Sequence, residues 1–176
     1  MLLSVENKFL DEILSFKDKM FRIAKRLLVS SEEAEDATQE VIVKLWQMPT
    51  KKLKEFRSLE AYSMTMIKNY CLDRLQSKQA ARTSLDESQM HVMRADNLGS
   101  QLDAKDTLNW VVKLIDDLPE QEKIIIQLRD IEQYEFDKIA AILSLPEGTV
   151  RVYLSRARKK IRNAFLKIEN HGNERD

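Results

Sequence analysis

Only three glycines and three prolines interrupt the 176 residues. A sheet with many tight turns needs more of both, so the chain leans to helices with short connections. Residues tolerated in helices (Lys, Arg, Glu, Leu, Ala, Ile, Gln) fill much of the rest. One cysteine, Cys71, excludes an internal disulfide and fits a reducing compartment. No apolar run approaches the roughly 20 residues needed to cross a bilayer. The opening MLLSVENKFLDE has neither a basic start nor a long apolar stretch, so no secretion signal is expected and the expected location is cytoplasmic. With 29 basic and 29 acidic residues, net charge says nothing about partners; only its distribution does.

The motifs of familiar chemistry are also missing. The two histidines, His91 and His171, fall in a presumed linker and tail, and one cysteine adds no zinc set. There is no P-loop, no GxGxxG and no histidine in an expected core to complete a hydrolytic triad. Hence no metal, no cofactor, no small-molecule substrate and no enzymatic activity of its own are expected. Cys71 sits on an apolar stripe and reads as buried packing.

What is present is helical periodicity. Phe9, Ile13, Phe16, Met20, Ile23 and Leu27 form one stripe. Ser30 and Glu33 have capping-box spacing, predicting a helix start near Ser31 with Ala34, Ala37, Val41 and Leu45 inward. Trp46 reads as a core anchor, Pro49 as the end of that helix and KKLKEF as a basic connection. Ser58 caps a further helix with core positions Met64, Ile67, Cys71 and Leu75. From about Arg82 to Asp106 the period fails, which reads as a linker. Thr107 to Asp117 restarts a helix. Another follows through Ile124, Ile125, Leu128 and Ile131, and a short one from about Tyr134 to Leu143. The tail ENHGNERD is expected to fray.

The stretch EGTVRVYLSRARKKIRNAF, Glu147 to Phe165, carries six basic residues and one acidic residue. The helix before it has Phe136, Ile139, Ala140 and Leu143 on one face. Pro146 and Glu147 suit the start of the next helix, whose inner face is Val150, Leu154, Ala157 and Ile161. Two helices joined by about three residues, the second apolar inside and basic outside, describe a helix-turn-helix. Its outward residues are Thr149, Arg151, Val152, Ser155, Arg156, Arg158 and Lys159, with Arg162 beyond. Arg151 suits guanine, Val152 a thymine methyl, and Gly148 would let backbone approach phosphate. By contrast, SSEEAEDATQEVIVKLWQ has five acidic residues and no base before Lys44. Its exposed Asp36, Gln39 and Glu40 suit a basic protein surface and not DNA.

These two stretches resemble a known family. LPEQEKIIIQLRDIEQYEFDKIAAILSLPEGTVRVYLSRARKKIR is similar to region four of bacterial sigma factors, the initiation subunits of RNA polymerase. The "EDATQEV" helix is similar to the region-two helix that docks on the clamp coiled coil of the beta-prime subunit, with Ile42 where the family usually has an aromatic. The resemblance implies Asp36, Gln39 and Glu40 as polymerase contacts. FRSLEAYSMTMIKNYCLDRLQSKQAAR is similar to the promoter-opening segment. It implies Asn69, Arg74, Lys78 and Arg82 as contacts to the minus-ten element, with Tyr62 and Tyr70 as further candidates and a base-capturing loop after Leu75, within QSKQAARTS. The short arrangement matches the extracytoplasmic-function (ECF) group.

The fold implied is all-α: two small helical domains joined by a flexible linker. Their expected spans are region two over 1–82, linker over 83–106, region four over 107–167 and a disordered tail over 168–176. The implied partners are core RNA polymerase (beta-prime clamp and beta flap), promoter DNA and an anti-sigma factor, often a membrane protein. Ser144 stands where the family often has glycine in the turn, and Val152 and Tyr153 stand where Ser and Arg are common. The alternative is a helix-turn-helix regulator that is not a polymerase subunit; its acidic helix would lack that partner.

Overall fold

The structure is a computed structural model that describes residues 2–53, 55–83 and 104–173. Among them every regular element is helical: α1 (Leu2–Ser15), α2 (Lys17–Leu28), α3 (Ser31–Trp46), α4 (Thr50–Leu53), α5 (Leu59–Thr83), α6 (Ala104–Asp116), α7 (Glu120–Ile126), a π-helical turn (Gln127–Ile131), α8 (Phe136–Leu143) and α9 (Glu147–Asn173). Most of the expected linker, together with His91, falls outside the described residues.

The first stripe is buried from Ile13 to Leu27, but the backbone breaks once within it. Phe16 leaves helical geometry (φ −114°, ψ 10°), and its amide donates to the Ile13 carbonyl, closing α1 with a tight turn before α2 starts. Ser30 caps α3 through its hydroxyl, which accepts from the Glu33 amide at 3.3 Å. The other half of the box is absent, because the Glu33 carboxylate turns to Lys78 instead. Ser58 caps α5 in the same way, accepting from the Ala61 amide at 3.1 Å. In the amino-terminal half α2 packs on α3 and α5, with Met20, Ile23, Ala37, Leu45, Met64, Ile67 and Cys71 all fully buried. Burial raises the Cys71 thiol to about 12, so it is inert at neutral pH. Leu75, expected in that core, is only half-buried.

In the carboxyl-terminal half α7, α8 and α6 pack against α9 around Ile125, Leu128, Ile139, Val150 and Ala157. Three boundaries differ from the sequence reading. The expected base-capturing loop within QSKQAARTS is helical through Thr83, because Gln, Lys, Ala and Arg favour the helix and no Gly or Pro stops it. The expected frayed tail stays helical through Asn173. The basic connection after Pro49 contains the short helix α4. Ile131, expected inward, is 40% exposed because the π turn rotates it off the apolar face.

The two halves also touch. α2 meets α7 and the π turn, and α5 meets α8, so one buried apolar cluster runs through both halves.

Candidate promoter-reading and polymerase-docking surfaces

α8 and α9 are joined by Ser144, Leu145 and Pro146. The reversal is made at Ser144, which sits in the left-handed region (φ 54°, ψ 43°), a conformation that glycine adopts at no steric cost. The Leu145 amide donates to the Ala140 carbonyl and the Val150 amide to the Pro146 carbonyl, so the turn is closed at both ends. Val150, Leu154 and Ala157 are buried against the neighbouring helices and Ile161 is half-buried. That inner face fixes which residues point out: Arg151, Val152, Ser155, Arg156, Arg158 and Lys159 are exposed, and Thr149 is half-buried. A Cβ added at Gly148 would meet nothing within 4 Å, so the first turn of α9 presents open backbone.

The basic residues of this face are not equivalent. Arg151 lies 3.9 Å over the Phe136 ring and 3.3 Å from Glu147, which orients its guanidinium on the first turn. Arg158 donates to both carboxylate oxygens of Asp130, its Nε at 3.0 Å, and this pairing raises its pKa further above the ordinary arginine value. Arg156 and Lys159 have no ion-pair partner among the described residues. Lys160 is exposed but is held by the buried Glu122, both of whose carboxylate oxygens lie 2.8 Å from its Nζ.

On α3, Asp36, Gln39 and Glu40 share one exposed face; the Asp36 side chain is 68% exposed and Glu40 lies 3.7 Å from Lys44. The same face continues through Val43 and Trp46 at helical spacing. Trp46, expected as a core anchor, is 64% exposed. Leu45 and Val41 already fill the inward positions, and Trp46 falls one residue beyond the buried stripe. Sequence spacing alone contained that signal: Ala34, Ala37, Val41 and Leu45 leave 46 pointing outward.

The α5 candidates lie beside this face. Arg74 approaches Glu33 at 3.8 Å and Asp36 at 4.0 Å, and Lys78 pairs with Glu33. The Lys78 hydrogen bond holds the Glu33 carboxyl below its ordinary range. Asn69 is exposed. The Arg82 side chain lies outside the described residues. Tyr62 stacks on Phe56 with ring centroids 3.7 Å apart, and Tyr70 lies under Lys44. The structure therefore brings Asp36, Arg74 and Lys78 into one charged cluster. It sets the α9 residues apart from it as a separate basic face.

An apolar-backed helix with outward arginines and an acidic helix with an exposed tryptophan define a helical protein with one basic and one acidic face. Comparison with known proteins gives the class. Sigma-70 region 2 matches residues 13–81, and Sigma-70 region 4 matches residues 108–161. The ECF RNA polymerase sigma factor SigW of Bacillus subtilis is 23% identical over 89% of this chain and 88% of its own length. The ECF RNA polymerase sigma-E factor of Escherichia coli is 26% identical over 86% and 83%. SigE of Mycolicibacterium smegmatis is 26% identical, and there the chain spans 58% of the relative's length. The sigma factor RpoE of Bartonella quintana, solved in complex with the anti-sigma factor NepR, shares the fold at a TM-score of 0.69 and 21% identity, covering 89% of this chain and 95% of that one. CnrH, solved with the cytosolic domain of CnrY, does so at 0.62 and 20%, covering 90% and 87%. The chain belongs to the sigma-70 family, as an ECF sigma factor.

Among the described residues no helix is long and apolar enough to span a membrane.

Proposed function

We propose that this sigma factor docks on core RNA polymerase through the exposed face of α3 and directs it to promoters that α9 and α5 read. The observation that carries the reading is charge segregation. The acidic residues Asp36 and Glu40 stand with Val43 and Trp46 on α3, while Arg151, Arg156 and Lys159 stand outward on α9. An acidic face with an aromatic anchor suits a basic protein helix such as the beta-prime clamp. A basic helix face on an apolar-backed helix-turn-helix suits the major groove of the minus-thirty-five element. Arg151, with Val152 and Ser155, is placed to read base edges. Arg156 and Lys159 meet phosphates, with Thr149 and the Gly148 backbone at the helix start.

Asn69, Arg74 and Lys78, with Arg82 beyond them, follow the opened minus-ten strand, where basic side chains track the backbone and polar groups meet a base. Arg74 and Lys78 first have to leave Glu33, which couples DNA engagement to the α3 face. Arg158, tied to Asp130, contributes to the groove by bracing the π turn. The division into region two over 1–82, linker over 83–106, region four over 107–167 and tail over 168–176 follows the same reading. So do the beta flap as a further polymerase contact, an anti-sigma factor as restraint, and the cytoplasm as place of work. The chain contributes recognition, and the polymerase forms the bonds.

Anisotropy of the labelled full-length chain titrated with core polymerase tests this. Saturable binding is expected, and it is lost when purified beta-prime clamp coiled coil is added in excess. A chain that ignores core polymerase yet selects duplex sites would instead be a free-standing regulator.

A further inference from the structure

Phe136 opens α8, the helix packed behind α9 in the helix-turn-helix. Its ring is half-buried against the core. Two guanidiniums lie over that ring: Arg151 of α9, its Cζ 3.9 Å from the ring centroid, and Arg129 of the π turn, at 4.6 Å. Two like charges beside one ring repel each other unless each has a counter-charge. Each has one. Glu147 lies 3.3 Å from Arg151, and Glu135 lies 3.2 Å from Arg129. Arg129 is anchored a second time, its Nη1 donating to the Tyr134 carbonyl at 2.7 Å. The π turn, the start of α8 and the start of α9 therefore meet at one aromatic ring.

The arrangement suits a task that a solvated arginine does badly. A free arginine loses rotamer freedom when it is fixed on a base. A separation of 3.9 Å is short enough for face-on contact with the ring; an edge-on guanidinium would hold its carbon further out, behind a nitrogen. Face-on contact uses the flat side of the guanidinium, whereas its N–H donors lie in the plane. Stacking thus orients Arg151 and leaves free the in-plane fork that bonds guanine O6 and N7. The one printed acceptor on that fork is Glu147, in an exposed pair that a base can replace. Among the described residues, Arg156 and Lys159 of the same face have no such ring.

We propose that Phe136, on the helix behind the reading helix, sets base preference by holding the Arg151 guanidinium edge-out for guanine in the upstream element. Arg129 fixes the ring in place. Phe136 is a positioning residue: it acts through Arg151 and touches no base. The proposal rests on the promoter reading above and names the residue behind one of its contacts.

The test is binding of the full chain, assembled with core polymerase, to promoters randomised in the upstream element at two salt concentrations. Phe136→Leu keeps an apolar side chain and removes the ring. It should cut the guanine preference at the Arg151 position by about 2–5-fold, the worth of an exposed cation–π contact. Preferences at other positions and the salt slope should stay unchanged, because no charge is removed. Phe136→Tyr should restore the guanine preference. An intact preference in Phe136→Leu, a loss spread evenly over all positions, or Phe136→Tyr no better than Phe136→Leu would overturn the proposal. If Phe136→Leu fails to fold, a ring-fluorinated phenylalanine at position 136 decides. It keeps the shape and weakens the negative ring face, so the same selective loss is expected, and its absence would overturn the positioning role. Arg151→Ala in the same library separates the two readings. If it removes the preference that Phe136→Leu leaves intact, only the positioning role fails. If it leaves every preference intact, the base-reading assignment of α9 fails and takes the positioning role with it.

Discussion

The two halves of this chain treat their cations differently. In region two, Arg74 and Lys78 lean on Glu33, and Lys19, Arg22 and Arg26 are engaged in hydrogen-bonded ion pairs, so the outward face of α3 is left acidic. In region four, Asp130 and Glu122 hold Arg158 and Lys160, but Arg156 and Lys159 face solvent without an ion-pair partner among the described residues. The difference teaches why a net charge of zero is uninformative here. Pairing within and between the halves engages several of the charges and leaves one acidic face and one basic face. Each suits a different partner, and joining them through polymerase raises the effective concentration of both on a promoter.

Reversing the acidic face should have the largest effect. Asp36→Arg places like charge against a basic partner, a cost of several kcal/mol. Core polymerase affinity is expected to fall by about 100-fold in anisotropy titrations, with duplex binding by α9 unchanged. An equal loss of both would erase the distinction between the halves.

Within the basic face, Arg151→Ala should relax preference at one base position at a cost of about 1–3 kcal/mol. Lys159→Ala should weaken all sequences alike and reduce the salt slope by about one unit. Binding to a randomised duplex library at two salt concentrations separates the two. If both variants behaved alike, the α9 face would be electrostatic only.

A smaller effect sharpens the comparison of scaffolds. Ser144 holds φ 54° between α8 and α9, and a non-glycine residue there is strained by about 1 kcal/mol. Ser144→Gly should therefore raise the stability of region four by about that amount in urea unfolding, with DNA preference unaltered. The smallest effect is confined to acid. Burial works to raise the Glu60 carboxyl, but hydrogen bonds from Lys19 and Tyr134, with the charges of Lys19 and Lys138, hold it below 4.5. A carboxyl lowered in the folded state stabilises above its ordinary pKa and loses that contribution as pH falls through the folded one. The contact between halves should thus loosen below about pH 4.5 in the distance between spin labels on α3 and α9, and Glu60→Gln should flatten that dependence.

Much of the core was legible in advance because its stripes keep helical period: Ala34, Ala37, Val41 and Leu45 are buried as spacing predicts, as are Val150, Leu154 and Ala157. The caps at Ser30 and Ser58 were legible because their chemistry is local. The apolar faces of α8 and α9 were legible because Ile139 and Leu143, like Val150, Leu154 and Ala157, keep the helical period. What could not be seen was long-range. Arg22 and Glu132 are 110 residues apart, and nothing in KDKMFRIAKRLL distinguishes a solvated arginine from a paired one. Trp46 is exposed although its residue type favours burial, because Leu45 and not residue 46 falls in the inward register. The resemblance implies a loop after Leu75, but the residues themselves favour helix and α5 runs through Thr83. The π turn had no signal, since a single widened turn leaves the apolar period almost intact.

Run-off transcription by core polymerase on a library of double-stranded promoters, compared for the unmodified chain, Asp36→Arg and Arg151→Ala, tests the central claim most directly. The account predicts sequence-selective transcripts with the unmodified chain, near silence on every promoter with Asp36→Arg, and an altered upstream preference with Arg151→Ala. Full transcription with Asp36→Arg, or an unaltered preference with Arg151→Ala, would contradict the assignment of one face to polymerase and the other to DNA.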